Sequence, residues 1–244
     1  MLPKILIGVA VLVAFFFLMG SLFRTEFWQD LKPKGNTPLS NIGSPSCPQP
    51  IILQTPIDLD KATSVLYPGQ ERGGDFKAHG GFRFDNAESN EVEVRAPMDA
   101  AVTDASRYIE QGEVQYMFDF QNDCGIRYRF DHLLVLSPKL AAIAQNLPEA
   151  KELDSNTSRV NGDIKVSKGE VVATAIGFKK NKNVSVDFGV YDMRGKIFSN
   201  SQENAVCWFD WLPEEDARIV KSLPPGDSKS GSQSILCKKR LKVF

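Results

Sequence analysis

Histidine is the scarcest chemically useful residue in this chain: there are two in 244 positions, His79 and His132. A site built on a cluster of imidazoles is therefore excluded, and any imidazole chemistry must use these two. Cysteine is sparse as well. Cys47, Cys124, Cys207 and Cys237 never fall in a C-x-x-C spacing, which removes zinc-ribbon and thioredoxin-type readings. Net charge is nearly absent, at −1, so composition gives no reason to expect a nucleic acid partner. No internal repeat is visible. Four cysteines allow three pairings. Cys207 and Cys237 bracket the C-terminal segment and are expected to bridge. Cys124 follows a strand-like run and reads equally as half of a bridge or as a buried free thiol.

What the chain does have begins with an uncharged apolar run from Ile5 to Phe23. That meets the requirement of roughly 20 apolar residues for a spanning helix and exceeds the apolar core of a cleaved signal peptide. No small-x-small cleavage site follows it. Residues 1–23 are expected to be a transmembrane anchor. Charge flanks the span only weakly, and the very short tail before it predicts a C-terminal body outside the cytoplasm, in the periplasm or cell envelope. Residues 24–56 are rich in Pro, Ser, Gly and Asn and read as a linker. Residues 57–210 read as a mainly β domain, and 211–244 as a C-terminal helix and tail.

The β reading rests on alternation. "VQYMFDFQ" places Val114, Tyr116, Phe118 and Phe120 on one parity, and "GIRYRFDHLLVL" does the same for Ile126, Tyr128 and Phe130. "NVSVDFGVYD" sets Val184, Val186, Phe188 and Val190 against Ser185, Asp187 and Gly189. Short alternating strands of this kind predict a sheet sandwich or barrel. Two helices are expected. One starts after Ser137, with Pro138 at its first position, and one follows Pro213, with acids at its start and Lys221 near its end.

Taken in order, "HGGFRFD", "VRAPMDAAVTDAS", "YRFDHLLVLSP", "IKVSKGEVVATAIG" and "VSVDFGVYD" resemble the successive blocks of the LytM-type, M23 family of zinc peptidases, from about Gly69 to Asp192. The resemblance implies a two-layer antiparallel β-sandwich with a groove over one sheet, and cleavage of peptide cross-links in bacterial cell walls. The family's zinc motif H-x-x-x-D matches His79 and Arg83, so a guanidinium, which cannot ligate a cation, stands where a carboxylate belongs. Its H-x-H motif matches Ser185, Val186 and Asp187. A carboxylate thus replaces the ligand histidine, and a serine replaces a catalytic one. The block carrying the other catalytic histidine matches "FDHL", which supplies His132.

These departures predict a degenerate site. His79 and Asp187 remain as metal positions, and His132 and Ser185 as catalytic positions without their full chemistry. Serine does not act as a general base near neutral pH, and a catalytic zinc needs about three protein ligands. No cofactor is expected. Arg83 and Asp187 are expected to form a groove ion pair where zinc would sit in the family. The resemblance then implies a binding or regulatory module at the cell wall, with a peptidoglycan peptide or a cell-wall hydrolase as partner and the membrane contacted through residues 5–23. The alternative is an active metalloendopeptidase with a rearranged zinc site drawing on His79, Asp85, His132 and Asp187. Other chemistries lack support. Cys124 and His132 have no orienting third residue, Met98 is followed by Asp99 where a biotinyl carrier needs lysine, and Glu91 and Glu93 lie in a polar turn.

Overall fold

The computed structural model describes residues 47–194, 201–227 and 233–238. The expected anchor at residues 5–23 lies outside them. Among the described residues no helix is long and apolar enough to cross a membrane.

In chain order the strands are β1 (Ser64–Leu66), β2 (Gln70–Arg72), β3 (Asp75–Lys77), β4 (Gly80–Arg83), β5 (Val94–Arg95), β6 (Ala100–Glu110), β7 (Glu113–Gln121) and β8 (Ile126–Leu136). Helix α1 (Pro138–Ala144) follows, then β9 (Ser158–Arg159), β10 (Lys165–Val166), β11 (Val171–Ile176), β12 (Ser185–Asp192) and helix α2 (Glu214–Ser222). Ten strands form one sheet in the order β1-β4-β12-β8-β7-β6-β10, with β9 on β6, β11 on β8 and β5 on β11. Its named strand pairs are antiparallel. β2 and β3 form a separate hairpin. The architecture is mainly β, as the alternation predicts. β8 carries the sheet from β12, with which it pairs up to Asp131, to β11, with which it pairs from Leu133 onward.

Parity sorts the sheet's faces. Phe82, Phe118, Phe120, Tyr128, Phe130 and Phe188 point inward and are fully buried with Trp208. Their rings stack: Phe120 on Tyr128 at 4.8 Å between centroids and Phe130 on Phe188 at 5.1 Å. Truncating one such ring to alanine costs about 3–5 kcal/mol. α1 forms as expected, with Pro138 in its first turn and Leu140, Ile143 and Ala144 buried at helical spacing. α2 carries Glu214, Glu215 and Asp216 in its first turn and Lys221 in its last, matching the helix dipole.

One boundary differs from the expectation. Residues 47–56, read as linker, include Ile51 and Leu53, which are buried in the core. Leu53 N–H donates to the Trp211 carbonyl at 2.8 Å. Polar composition masked a strap with two well-placed apolar residues. Of the two readings the sequence leaves open for Cys124, the structure shows the bridge. Cys124 bridges to Cys47, while Cys207 bridges to Cys237 as expected.

Candidate functional site

The outer face of the sheet carries a groove of about 1070 Å³. The β2–β3 hairpin borders it on the β4 side, through Asp75, Phe76 and Lys77. The loop Leu153–Thr157 borders it beyond β6, and Met117, Arg129, Asp187 and Tyr191 line the sheet between.

Asp187 is the hub. On β12 it lies opposite Gly81 of β4 and opposite Asp131 of β8. Its Oδ2 is 2.9 Å from His79 Nε2 and 3.9 Å from His132 Nε2. His79 immediately precedes β4 and lies over Gly189, where a β-carbon would collide with the His79 side chain and the Tyr191 hydroxyl. Arg72 holds the His79 backbone: its guanidinium donates to the carbonyls of Tyr67 at 2.8 Å and His79 at 3.1 Å. Burial alone would raise the Asp187 carboxyl. The charge and hydrogen bond of His79, then the charges of His132 and Arg72, outweigh it and hold the group well below the usual carboxylate range.

His132 reaches this face through a bulge. Tyr116 pairs with Leu133 and Phe118 with Phe130, so β8 spends one more residue than β7 over this step. The extra residue turns both Asp131 and His132 toward the groove. His132 adopts φ 61°, uncommon for a non-glycine residue, and its carbonyl accepts from Gly177 N–H at 2.8 Å. Asp131 Oδ1 accepts from the His132 N–H at 2.7 Å and from the Tyr108 hydroxyl at 2.6 Å. The Tyr108 oxygen in turn faces His132 Nδ1 at 3.4 Å. Phe178 packs on the imidazole, with centroids 4.9 Å apart. Burial pulls the His132 imidazole down, but Asp131, Asp187 and Glu110 outweigh it, so the net shift is upward. A protonated His132 satisfies both neighbours at once, with Nδ1–H toward Tyr108 and Nε2–H toward Asp187.

A second carboxylate anchors the groove floor. Asp119 is fully buried on β7. Arg129 grips it with two bonds, Nε at 2.9 Å and a terminal nitrogen at 2.7 Å, and Arg127 adds a contact at 2.8 Å.

The residues expected to matter divide in two. His79, His132 and Asp187 come together in the groove. Arg83, Ser185 and Asp85 do not line it. The expected Arg83–Asp187 ion pair gives way to others: Arg83 pairs with Asp85 at 3.4 Å, and Asp187 pairs with the two histidines. Register is the reason. Arg83 stands opposite Ser185 and Ser64, two residue pairs along the ladder from Asp187, and its aliphatic stem runs beside Gly226. Asp85 is held by Thr63, whose hydroxyl donates at 2.8 Å.

Zinc does not fit these donors. Among the described residues no three His, Cys, Asp or Glu side chains are arranged to hold a metal ion. His79 Nε2 lies at hydrogen-bond distance, 2.9 Å, from Asp187. The position that would supply a third ligand in the resembled family carries Arg83, turned toward Asp85.

Sequence reasoning missed Tyr108, Asp131, Arg72 and the Asp119 network. One signal was present: the apolar parity of Ile126, Tyr128 and Phe130 breaks at Leu133, which marks the extra residue of the bulge. No protein-family model matches this sequence, and no curated protein matches it.

Proposed function

We propose that this chain is a non-catalytic module of M23-like, duplicated-sandwich design that binds an extended cell-wall peptide in its groove, tethered to the membrane through residues 5–23 and facing away from the cytoplasm. One observation carries the reading: Asp187, at the position of a zinc ligand in the resembled family, is hydrogen-bonded by His79 with His132 facing it, while the position of a further ligand carries Arg83, turned to Asp85. The groove retains the means to hold a peptide. Its floor offers Arg129, Tyr191 and the Asp187 hub, and both rims carry exposed apolar groups, Phe76 (38% exposed) and Leu153 (73% exposed). A polar floor with apolar rims suits a backbone laid along the sheet with side chains reaching outward.

The test uses the full chain in detergent with purified peptidoglycan. Co-sedimentation without release of soluble fragments is expected, weakened several-fold in Leu153→Asp and Phe76→Asp. Cleavage that depends on added zinc and disappears in His132→Ala would replace this reading with the alternative, an active metalloendopeptidase. That alternative would draw on the two imidazoles and Asp187, but among the described residues these are not arranged to hold a metal ion, and Asp85, part of its expected ligand set, pairs with Arg83 outside the groove.

A further inference from the structure

The hairpin wall of the groove rests on a short C-terminal strap, residues 233–238. Ser234 is fully buried, and its hydroxyl donates to the Pro68 carbonyl at 2.5 Å while accepting from Cys237 N–H at 3.0 Å. Ile235 N–H donates to the Gly69 carbonyl at 2.8 Å. Gly69 adopts φ 75°, and Leu236 fills the space its β-carbon would need, so no other residue fits there while the strap is in place. Leu236 also packs against a small cluster of Ala78, Tyr191 and Ala205, separate from the main core. The strap therefore clasps both roots of the β2–β3 hairpin, at Pro68–Gly69 and at Ala78. Between those roots lies Arg72, which fixes the carbonyl of His79.

The strap's covalent hold on the body is the Cys207–Cys237 bridge, which joins it to the turn Trp208–Trp211 in the main core. Strap and hairpin are each too short to order alone; a two-stranded hairpin is marginal without support. We infer that the Cys207–Cys237 bridge is the latch that assembles the hairpin wall of the groove, so that the groove is complete only after this disulfide has closed. Closure forms one sulfur–sulfur bond from two thiols. The two sulfurs give up two electrons and two protons to a disulfide oxidant, whose own sulfur–sulfur bond breaks to a dithiol. The groove then exists only in a compartment where disulfides form. This regulation rests on the groove being the binding site proposed above, but its structural part is testable without any ligand.

The test is hydrogen–deuterium exchange on the full chain, comparing the oxidised protein with a Cys207→Ser/Cys237→Ser variant. Amides of residues 69–79 are expected to exchange at least tenfold faster in the variant, while those of β7 and β8 keep their rates. Unchanged exchange in the hairpin would overturn the inference, and so would a uniform rise across β7 and β8, which would make the bridge a general stabiliser. Leu236→Ala, with the bridge intact, is expected to reproduce the local rise; no change there would also overturn it. A loosened wall with undiminished peptidoglycan binding would uphold the latch and count against the groove as the binding site.

Discussion

Two carboxylates sit on the same face of one sheet, and they are held in opposite ways. Asp119 is fully buried and gripped by the guanidinium groups of Arg127 and Arg129, which stay charged at any physiological pH. Asp187 keeps 15% of its side chain exposed and faces two imidazoles, His79 and His132. The first arrangement is a fixed tie between β7 and β8. The second is open to a ligand and adjustable by a proton. The proposed binding role of the groove rests on the second arrangement.

The largest expected effect comes from breaking the fixed tie. Asp119→Ala leaves two half-buried guanidinium groups without their common partner and should cost about 3–5 kcal/mol, read as a fall in thermal midpoint. Asp187→Asn should cost less, about 1–3 kcal/mol, because the site reaches solvent and the amide still hydrogen-bonds its neighbours. Equal losses in the two variants would erase the distinction.

Between these in diagnostic value is the pH dependence of stability. Asp187 titrates lower when folded than its unfolded value of about 3.9, so its contribution is present above that pH and fades as pH falls through the folded value. His132 titrates higher when folded than about 6.5, so its contribution is complete below that pH and is lost as pH rises through the folded value. Denaturant unfolding across pH should show a maximum between these two windows, and Asp187→Asn should flatten both flanks. A profile unchanged by the substitution would mean the hub is not coupled to folding.

Tyr108→Phe removes the hydroxyl that binds Asp131 at 2.6 Å and should cost about 1–2 kcal/mol while altering the His132 titration seen by NMR. The smallest effect is expected at Arg83→Ala. Its pair with Asp85 is solvent-exposed, at 32% and 57%, and should contribute under about 1 kcal/mol. A loss of several kcal/mol there would indicate that Arg83 supports the hub after all.

Much of the fold was legible because period-2 alternation records which face of a strand is buried. Phe118, Phe120, Tyr128, Phe130 and Phe188 were placed on the inner face by parity alone, and the structure buries all of them. Ser137–Pro138 and the acids after Pro213 marked the helix starts for local reasons. The site was less legible because it depends on register and on one irregularity. Alternation alone does not reveal that Arg83 falls opposite Ser185. Nor does it show how a single extra residue in β8 turns Asp131 and His132 to the same side. Long-range closure was hidden for the same reason. Nothing local to Cys124 identifies Cys47 as its partner, and nothing local to Leu236 points to Gly69.

The central claim is that Asp187 is occupied by His79 and His132 in place of a metal ion. Zinc titration of the metal-stripped full chain at pH 7, followed by calorimetry with mass-spectrometric metal counting, tests it most directly. The account predicts no stoichiometric zinc in the wild type. One zinc per chain, lost in both His79→Ala and Asp187→Ala, would contradict it.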